Sequence, residues 1–242
     1  MAEVTAGSDA ARAAGPASTQ SGPDRRTLVL ADCLRRRGQG PRRLLVVGCG
    51  SGAEAGFLAR NFGAEAVGVD LPGSNLPFDR DGARPARLLH MNAEALAFGD
   101  GLFDLVYSFH ALEHMSDPRR ALAEMSRVLR RGGRYCIGTP NSSRLVGYVG
   151  SDVPLSVRVR WNLHDLRMRL TGRWSNEAGA HAGYAAGELQ EMCRQAFGDA
   201  EDITDEYYAS LYARHRRLLA MVRRSGTRAL VYPCVYVTGI RA

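Results

Sequence analysis

Two sets of residues in this chain have the types and spacing to do chemistry. The first is Gly48-Cys49-Gly50-Ser51-Gly52, with Asp70 following at a distance. Glycines let a backbone come close to a ligand, and an acid at the end of the next strand accepts hydrogen bonds from ribose hydroxyls. This is the pattern of a site for an adenosine-containing cofactor. Gly48-x-Gly50-x-x-Ala53 also satisfies the dinucleotide fingerprint, so the loop alone does not say which cofactor. The second set is His110, His114 and His181. Histidine suits a general base near neutral pH. His110 and His114 stand at i and i+4, on one face if their segment is helical. The same spacing could begin a metal site, but Glu113 completes no ligand pattern and no metal is expected. His164 and Asp165 could pair as a base and its orienting acid, yet adjacent residues on a helix do not face each other.

These residues need elements to position them. The apolar run Leu44 to Val47 predicts a first strand from Arg43, followed by the glycine turn and a helix over Ala53 to Asn61. Ala66 to Val69 predicts a second strand closed by Asp70. Leu71 to Pro85, rich in proline and glycine, reads as loop. Arg87 to Met91 and Phe103 to Ser108 read as the third and fourth strands. Asp117 is placed to cap a helix with Pro118 at its first position. Leu122, Met125 and Leu129 recur on one face of it, Gly132-Gly133 are expected to stop it, and Arg134 to Thr139 is the fifth strand. Asp24 to Arg37 has helical spacing ahead of all this. After Pro140 the alternation stops. Asn141 to Tyr184 reads as an insertion holding Tyr148, Trp161, Trp174 and Tyr184, with a helix near Val157 to Leu170. A helix over Ala185 to Phe197, a strand over Ala200 to Thr204, a long helix over Glu206 to Arg224 and a last strand over Leu230 to Thr238 then follow. Strands alternating with helices imply a doubly wound α/β sheet covered on both faces. His110 and His114 follow the fourth strand, at the carboxyl edge where such sheets bind ligands.

The 242 residues fit one domain over 24–242, preceded by a segment, 1–23, whose Ala, Gly, Ser, Thr and Pro have little to bury and read as a disordered leader. The net charge is +7, and all 32 basic residues are arginine. That bias suits a GC-rich genome. The arginine pairs are scattered along the chain and form no localised stripe, which argues against a nucleic-acid partner. Five cysteines at 33, 49, 136, 193 and 234 include no CxxC pair, so they read as reduced thiols of a cytoplasmic protein. No stretch approaches the ~18 apolar residues of a membrane helix, and no membrane partner is expected.

Downstream segments separate the cofactors. Met91-Asn92-Ala93-Glu94-Ala95-Leu96-Ala97-Phe98, Phe103 to Ser108, Leu112-Glu113-His114 and Arg127 to Gly133 occur in an order and spacing that resembles the class I S-adenosylmethionine-dependent methyltransferases. They are most similar to the small-molecule group that includes the ubiquinone and menaquinone biosynthesis enzymes. The resemblance covers about residues 42–141. It implies a Rossmann-like seven-stranded sheet, mostly parallel, with an antiparallel last strand and a lid insertion after strand five. It also implies S-adenosylmethionine as cofactor, with S-adenosylhomocysteine as product. On this resemblance Gly48, Cys49 and Gly50 approach the methionine part and Asp70 holds the ribose. Leu71 lies on the adenine, Asn92 and Ala93 meet its polar edge, and Ser108 and Phe109 lie beside the methionine moiety. Asn92 stands where the family usually has Asp, and Val46 where it often has an acid. Methyl transfer is an in-line displacement that mainly needs alignment, with a base only for a protonated acceptor. His181 precedes Gly183-Tyr184 at a junction that lies near the acceptor pocket in this fold, which adds it to His110 and His114 as a candidate base. The expected activity is methylation of an oxygen or nitrogen of a small organic acceptor, in bacterial specialised metabolism. RNA or protein methylation, or a scaffold that binds the cofactor without transferring from it, are the alternatives, and a homodimer stays open.

Overall fold

The computed structural model describes residues 25–72, 85–147, 154–177 and 181–242. The expected leader, most of the Leu71 to Pro85 loop and Tyr148 lie outside the described residues. In chain order the elements are α1 (Arg25–Arg35), β1 (Arg43–Val47), α2 (Ala53–Phe62), β2 (Glu65–Asp70), β3 (Ala86–His90) and β4 (Phe103–Phe109). Then come a 3-10 turn (Leu112–His114), α3 (Pro118–Val128), β5 (Leu129–Pro140), α4 (Leu155–Leu170), α5 (Ala186–Phe197) and β6 (Glu201–Asp202). The chain ends with α6 (Thr204–Leu211), a second 3-10 turn (Ala213–His215), α7 (Arg216–Arg224), α8 (Arg228–Val231) and β7 (Cys234–Ile240).

The seven strands form one sheet in the order β3-β2-β1-β4-β5-β7-β6. β7 is antiparallel to both of its neighbours, whereas the pairs from β3 to β5 are parallel. Side chains along β1 alternate between two cores. Leu44 and Val46 face α1, α2 and α6, while Leu45 and Val47 face α3 and α5. Because β1 and β4 pair in parallel, Val47 opposite Ser108, the glycine loop and the His110 loop leave the sheet side by side.

Asp117 caps α3 as its spacing implies, its carboxylate accepting from the Arg120 N–H at 3.0 Å. Four boundaries differ from expectation. α3 stops at Val128, because Leu129 turns extended and pairs with Phe103, so Gly132-Gly133 lie inside β5. A Cβ at Gly133 would stand 2.7 Å from the Leu129 side chain, which is why that crossing needs glycine. The sixth strand is only Glu201–Asp202. The long helix expected over Glu206 to Arg224 is broken at 212–215, although nothing there is a helix breaker. Tyr207, Tyr208 and Leu211 are drawn into the core, and tertiary packing outweighs propensity. The last strand begins at Cys234. Pro233 has no N–H to give a ladder, and the Tyr232 and Pro233 carbonyls are already taken by Asn141.

Charge ties α6 to the turn that follows α1. Arg37 donates to both Glu201 and Glu206, and Arg36 to Glu206. Hydrogen bonds from Arg37 hold the Glu206 carboxyl at about 2, against 4.5 for an ordinary glutamate. Glu206→Gln is expected to lower the melting midpoint at neutral pH by an amount worth roughly 1 kcal/mol, the scale for a partly exposed pair. A lowered folded value makes this stabilisation complete above about pH 4.5 and lost as pH falls toward 2. Thermal melts of both proteins across that window check it. The gap between their midpoints should close with acidification, and a constant gap would contradict the linkage.

Candidate functional site

β1 delivers the chain into a loop where Gly48, Gly50 and Gly52 all have positive φ, at 73°, 51° and 78°. Only glycine adopts this conformation without strain. Space is equally restrictive, since a Cβ on Gly48 would lie 2.2 Å from the Ala111 Cβ. Asp70 ends the neighbouring strand. One of its carboxylate oxygens accepts the Gly50 N–H at 2.7 Å and the other the Leu71 N–H at 2.8 Å. Asp70 therefore pins the glycine loop to β2 and keeps a lone pair on each oxygen for a ligand.

Above this edge lies a cleft of about 190 Å³ that brings together Gly48, Asp70, Leu71, Asn92, Ala93, His110 and His114. Its donors and walls fit a nucleoside: an acid for the ribose hydroxyls, the exposed Leu71 for a base face, and the Ala93 backbone for a base edge. Asn92 uses its side-chain oxygen to accept the Glu94 N–H at 2.9 Å. Cys49, Gly50 and Ser108 do not line the cleft. Cys49 packs against Gly68, Gly50 spends its N–H on Asp70, and Ser108 is buried under the loop with no partner for its hydroxyl. Phe109 faces a neighbouring cavity instead.

That second cavity, of about 300 Å³, shares His110 and His114 with the cleft. Its wall is aromatic. Phe109 stacks on Tyr236 at 5.6 Å, Tyr207 lies 4.1 Å from Tyr236, and Tyr208 and Tyr212 continue the row from α6. Its polar corner holds His110, Glu113, His114, His181 and Cys234. His110 and His181 are the described non-glycine residues with positive φ, 52° and 48°, a conformation that persists only where the surroundings impose it. The His110 ring is held at both nitrogens, Nδ1 by Glu113 Oε1 at 3.3 Å and Nε2 by Cys234 Sγ at 3.5 Å. The Glu113 side chain is 2% exposed; its Oε1 also lies 3.9 Å from His114 Nε2, and its Oε2 has no hydrogen-bond partner. His114 meets His181 edge to face at 4.6 Å.

The environments push these groups apart. Burial opposes a charged His110, but Cys234 and Glu113 outweigh it and hold the imidazole up at about 10. Burial likewise opposes a Cys234 thiolate, yet the His110 charge draws that thiol below its ordinary value. His181 moves the other way, lowered from 6.5 by burial and by the neighbouring His114. The three candidate histidines thus converge, without the shared helical face that i, i+4 spacing suggested for His110 and His114, because the segment is a single 3-10 turn. Cys234 and the tyrosines of α6 were not legible as site residues. The only signals were Tyr207-Tyr208-x-x-x-Tyr212 at helical spacing and a cysteine after Pro233.

Other candidates fall elsewhere. His164 is exposed, and its neighbour Asp165 turns inward to Arg144 at 3.2 Å, so the two do not act together. Trp174 is a packing residue: its indole donates to the Ser142 carbonyl, and Arg144 and Arg169 cover its ring. Trp161 lines neither cavity. Among the described residues no cluster could hold a metal, and no helix is long and apolar enough to cross a membrane. A larger, arginine-lined cavity of about 520 Å³ opens at the opposite, amino end of β1 and β4, away from the glycine loop.

Residues 45–137 match the family described as a methyltransferase domain. The chain is 36% identical over 104 residues to tocopherol O-methyltransferase of Arabidopsis thaliana, covering 40% of this chain and 30% of that protein. It is 37% identical over 103 residues to the ubiquinone biosynthesis O-methyltransferase of a Ruegeria species, covering 41% of each. The chain thus spans less than half the length of these curated relatives. Among solved structures, the YcgJ protein of Bacillus subtilis superposes with a TM-score of 0.54 at 19% identity, over 89% of this chain and 97% of that one, a likeness of fold. Over residues 45–137 this chain is thus similar to a methyltransferase domain, and the sheet order and the glycine loop after β1 accompany that similarity.

Proposed function

We propose that this protein transfers a methyl group from S-adenosylmethionine to a hydroxyl or amino group of a small, planar aromatic acceptor, releasing S-adenosylhomocysteine. One observation carries the proposal: a cleft edged by the glycine loop and Asp70 shares His110 and His114 as lining with a neighbouring aromatic cavity. The names of the two O-methyltransferase relatives support oxygen as the acceptor atom. When bound, the cofactor supplies a methyl group already activated by its sulfonium centre. Asp70 holds the ribose, with Leu71 and Ala93 flanking the adenine. Phe109, Tyr212 and Tyr236 hold the acceptor ring. His181, neutral at physiological pH, accepts the acceptor's proton, while His110 stays charged between Glu113 and Cys234. Groups whose environments drive their pKa values apart divide acid and base roles in this way.

Residues 141–184 act as the acceptor lid, supported by Arg144 and His181 on the cavity wall. The acceptor is a small molecule and not a nucleic acid. Many arginines are occupied by carboxylates, such as Arg127 by Glu124 and Arg228 by Asp202, which leaves less free positive charge for a phosphate backbone. We place the enzyme in the cytoplasm of a bacterium with a GC-rich genome, in specialised metabolism, on the strength of its arginine-only basic residues and unpaired thiols.

Calorimetry with S-adenosylhomocysteine tests the cofactor half. Binding in the micromolar range, about −8 kcal/mol, is expected. Asp70→Ala should weaken it about tenfold or more, since each hydrogen bond to a charged group contributes roughly 1.5–3 kcal/mol. An unchanged affinity would remove Asp70 from the site.

Transfer of labelled methyl to a panel of small phenols tests the acceptor half. Turnover should rise with pH through a midpoint below 6.5, the side on which His181 becomes a free base. His181→Gln should abolish that limb and lower kcat by about a hundredfold, the lower range for a lost general base. A limb that survives the substitution would reassign the base. Labelling of RNA or protein alone, or no labelling at all, would favour the alternative substrates or a non-transferring scaffold.

A further inference from the structure

The acceptor cavity carries a feature that methyl transfer leaves unused. Cys234 opens β7 on the cavity wall with its sulfur 3.5 Å from His110 Nε2. The opposite nitrogen of that ring is 3.3 Å from Glu113, whose side chain is almost fully buried. A nucleophile, a base within reach and a buried acid orienting the base form the arrangement that activates cysteine. We propose that Cys234, His110 and Glu113 form a nucleophilic triad that captures a flat α,β-unsaturated carbonyl compound entering the aromatic cavity, as a thioether on Cys234.

The step balances without any other reactant. The Cys234 thiolate forms a carbon–sulfur bond to the β-carbon of the enone. The carbon–carbon π pair moves onto the carbonyl as an enolate, and the His110 imidazolium returns its proton to the α-carbon. The aromatic wall of Phe109, Tyr236 and Tyr212 selects a planar apolar body. Acyl transfer is disfavoured, because the nearby amides that could hold an oxyanion are spent: the Cys234 N–H on the Tyr208 hydroxyl and the His110 N–H on the Gly138 carbonyl. Charged and titratable groups around the sulfur favour the thiolate: His110 from the β4 loop, with Arg26 and Arg144 at longer range, against the neutral hydroxyls of Tyr208 and Tyr236. The other four cysteines are buried. Burial pushes Cys33 up to about 11 and Cys49 and Cys193 up to about 12, and it raises Cys136 as well.

The test uses the full chain and phenyl vinyl ketone near pH 6.5, about two units below a free thiol. Intact mass and peptide mapping read the product. One adduct is expected, on Cys234, formed at least about tenfold faster than the adduct of glutathione at that pH, in line with an activated thiolate. His110→Gln should bring the rate down to that of glutathione, with circular dichroism confirming that the variant is folded. A wild-type Cys234 that reacts no faster than glutathione, or labelling spread evenly over several cysteines, would overturn the proposal. So would hydrogen peroxide oxidising Cys234 faster than the enone alkylates it. The proposal shares the aromatic cavity with the methyl-transfer site but does not need transfer: failure of every methylation assay would leave the adduct in place.

Discussion

The structure depends on a close approach between two loops. Gly48 and Ala111 meet so tightly that a single added methyl at Gly48 would overlap the alanine. This is possible because β1 and β4 are adjacent and parallel, so both chains leave the sheet at the same edge. The contact sets the cofactor-type loop against the segment that carries His110, Glu113 and His114. The β7 segment that closes the far side of the aromatic cavity is placed by the same sheet, through its antiparallel pairing with β5.

Polar contacts tie the described part of the insertion after β5 to this frame. Asn141 donates to the Ala229 and Tyr232 carbonyls, and its backbone bridges to Tyr184 where the insertion returns. Arg144, almost wholly buried, donates to Asp165 of α4 and to the Ala182 carbonyl next to His181. Breaking a buried pair of this kind strands a charge, so the pair fixes position more than it adds stability. The His181 side of the cavity is thereby tied to α4, while the outer face of α4 stays exposed.

What was legible in the sequence was local. Apolar runs pointed to the strands, though not to the bounds of β6 and β7, Asp117-Pro118 marked a helix start, and the glycine loop with Asp70 marked the edge at which the cleft lies. The histidines were identified by residue type, but their convergence is tertiary. Cys234 reaches His110 across 124 residues of sequence, and no spacing rule links them. The misread boundaries share a cause. Gly132-Gly133 look like a helix stop and instead relieve crowding against Leu129 inside a strand. The run from Glu206 looks continuous and breaks because its tyrosines are drawn under β7. Residue types reported the conformations they permit, and packing chose among them.

On the proposed function, cofactor cleft and acceptor cavity are one site joined at His110 and His114. A crystal structure with S-adenosylhomocysteine bound tests it most directly. The ribose is expected on Asp70 and the sulfur at the junction beside His110 and His114, turned toward Phe109 and Tyr236. Density for the ligand in the arginine-lined cavity at the amino ends of β1 and β4, or a sulfur facing away from the histidines, would contradict it.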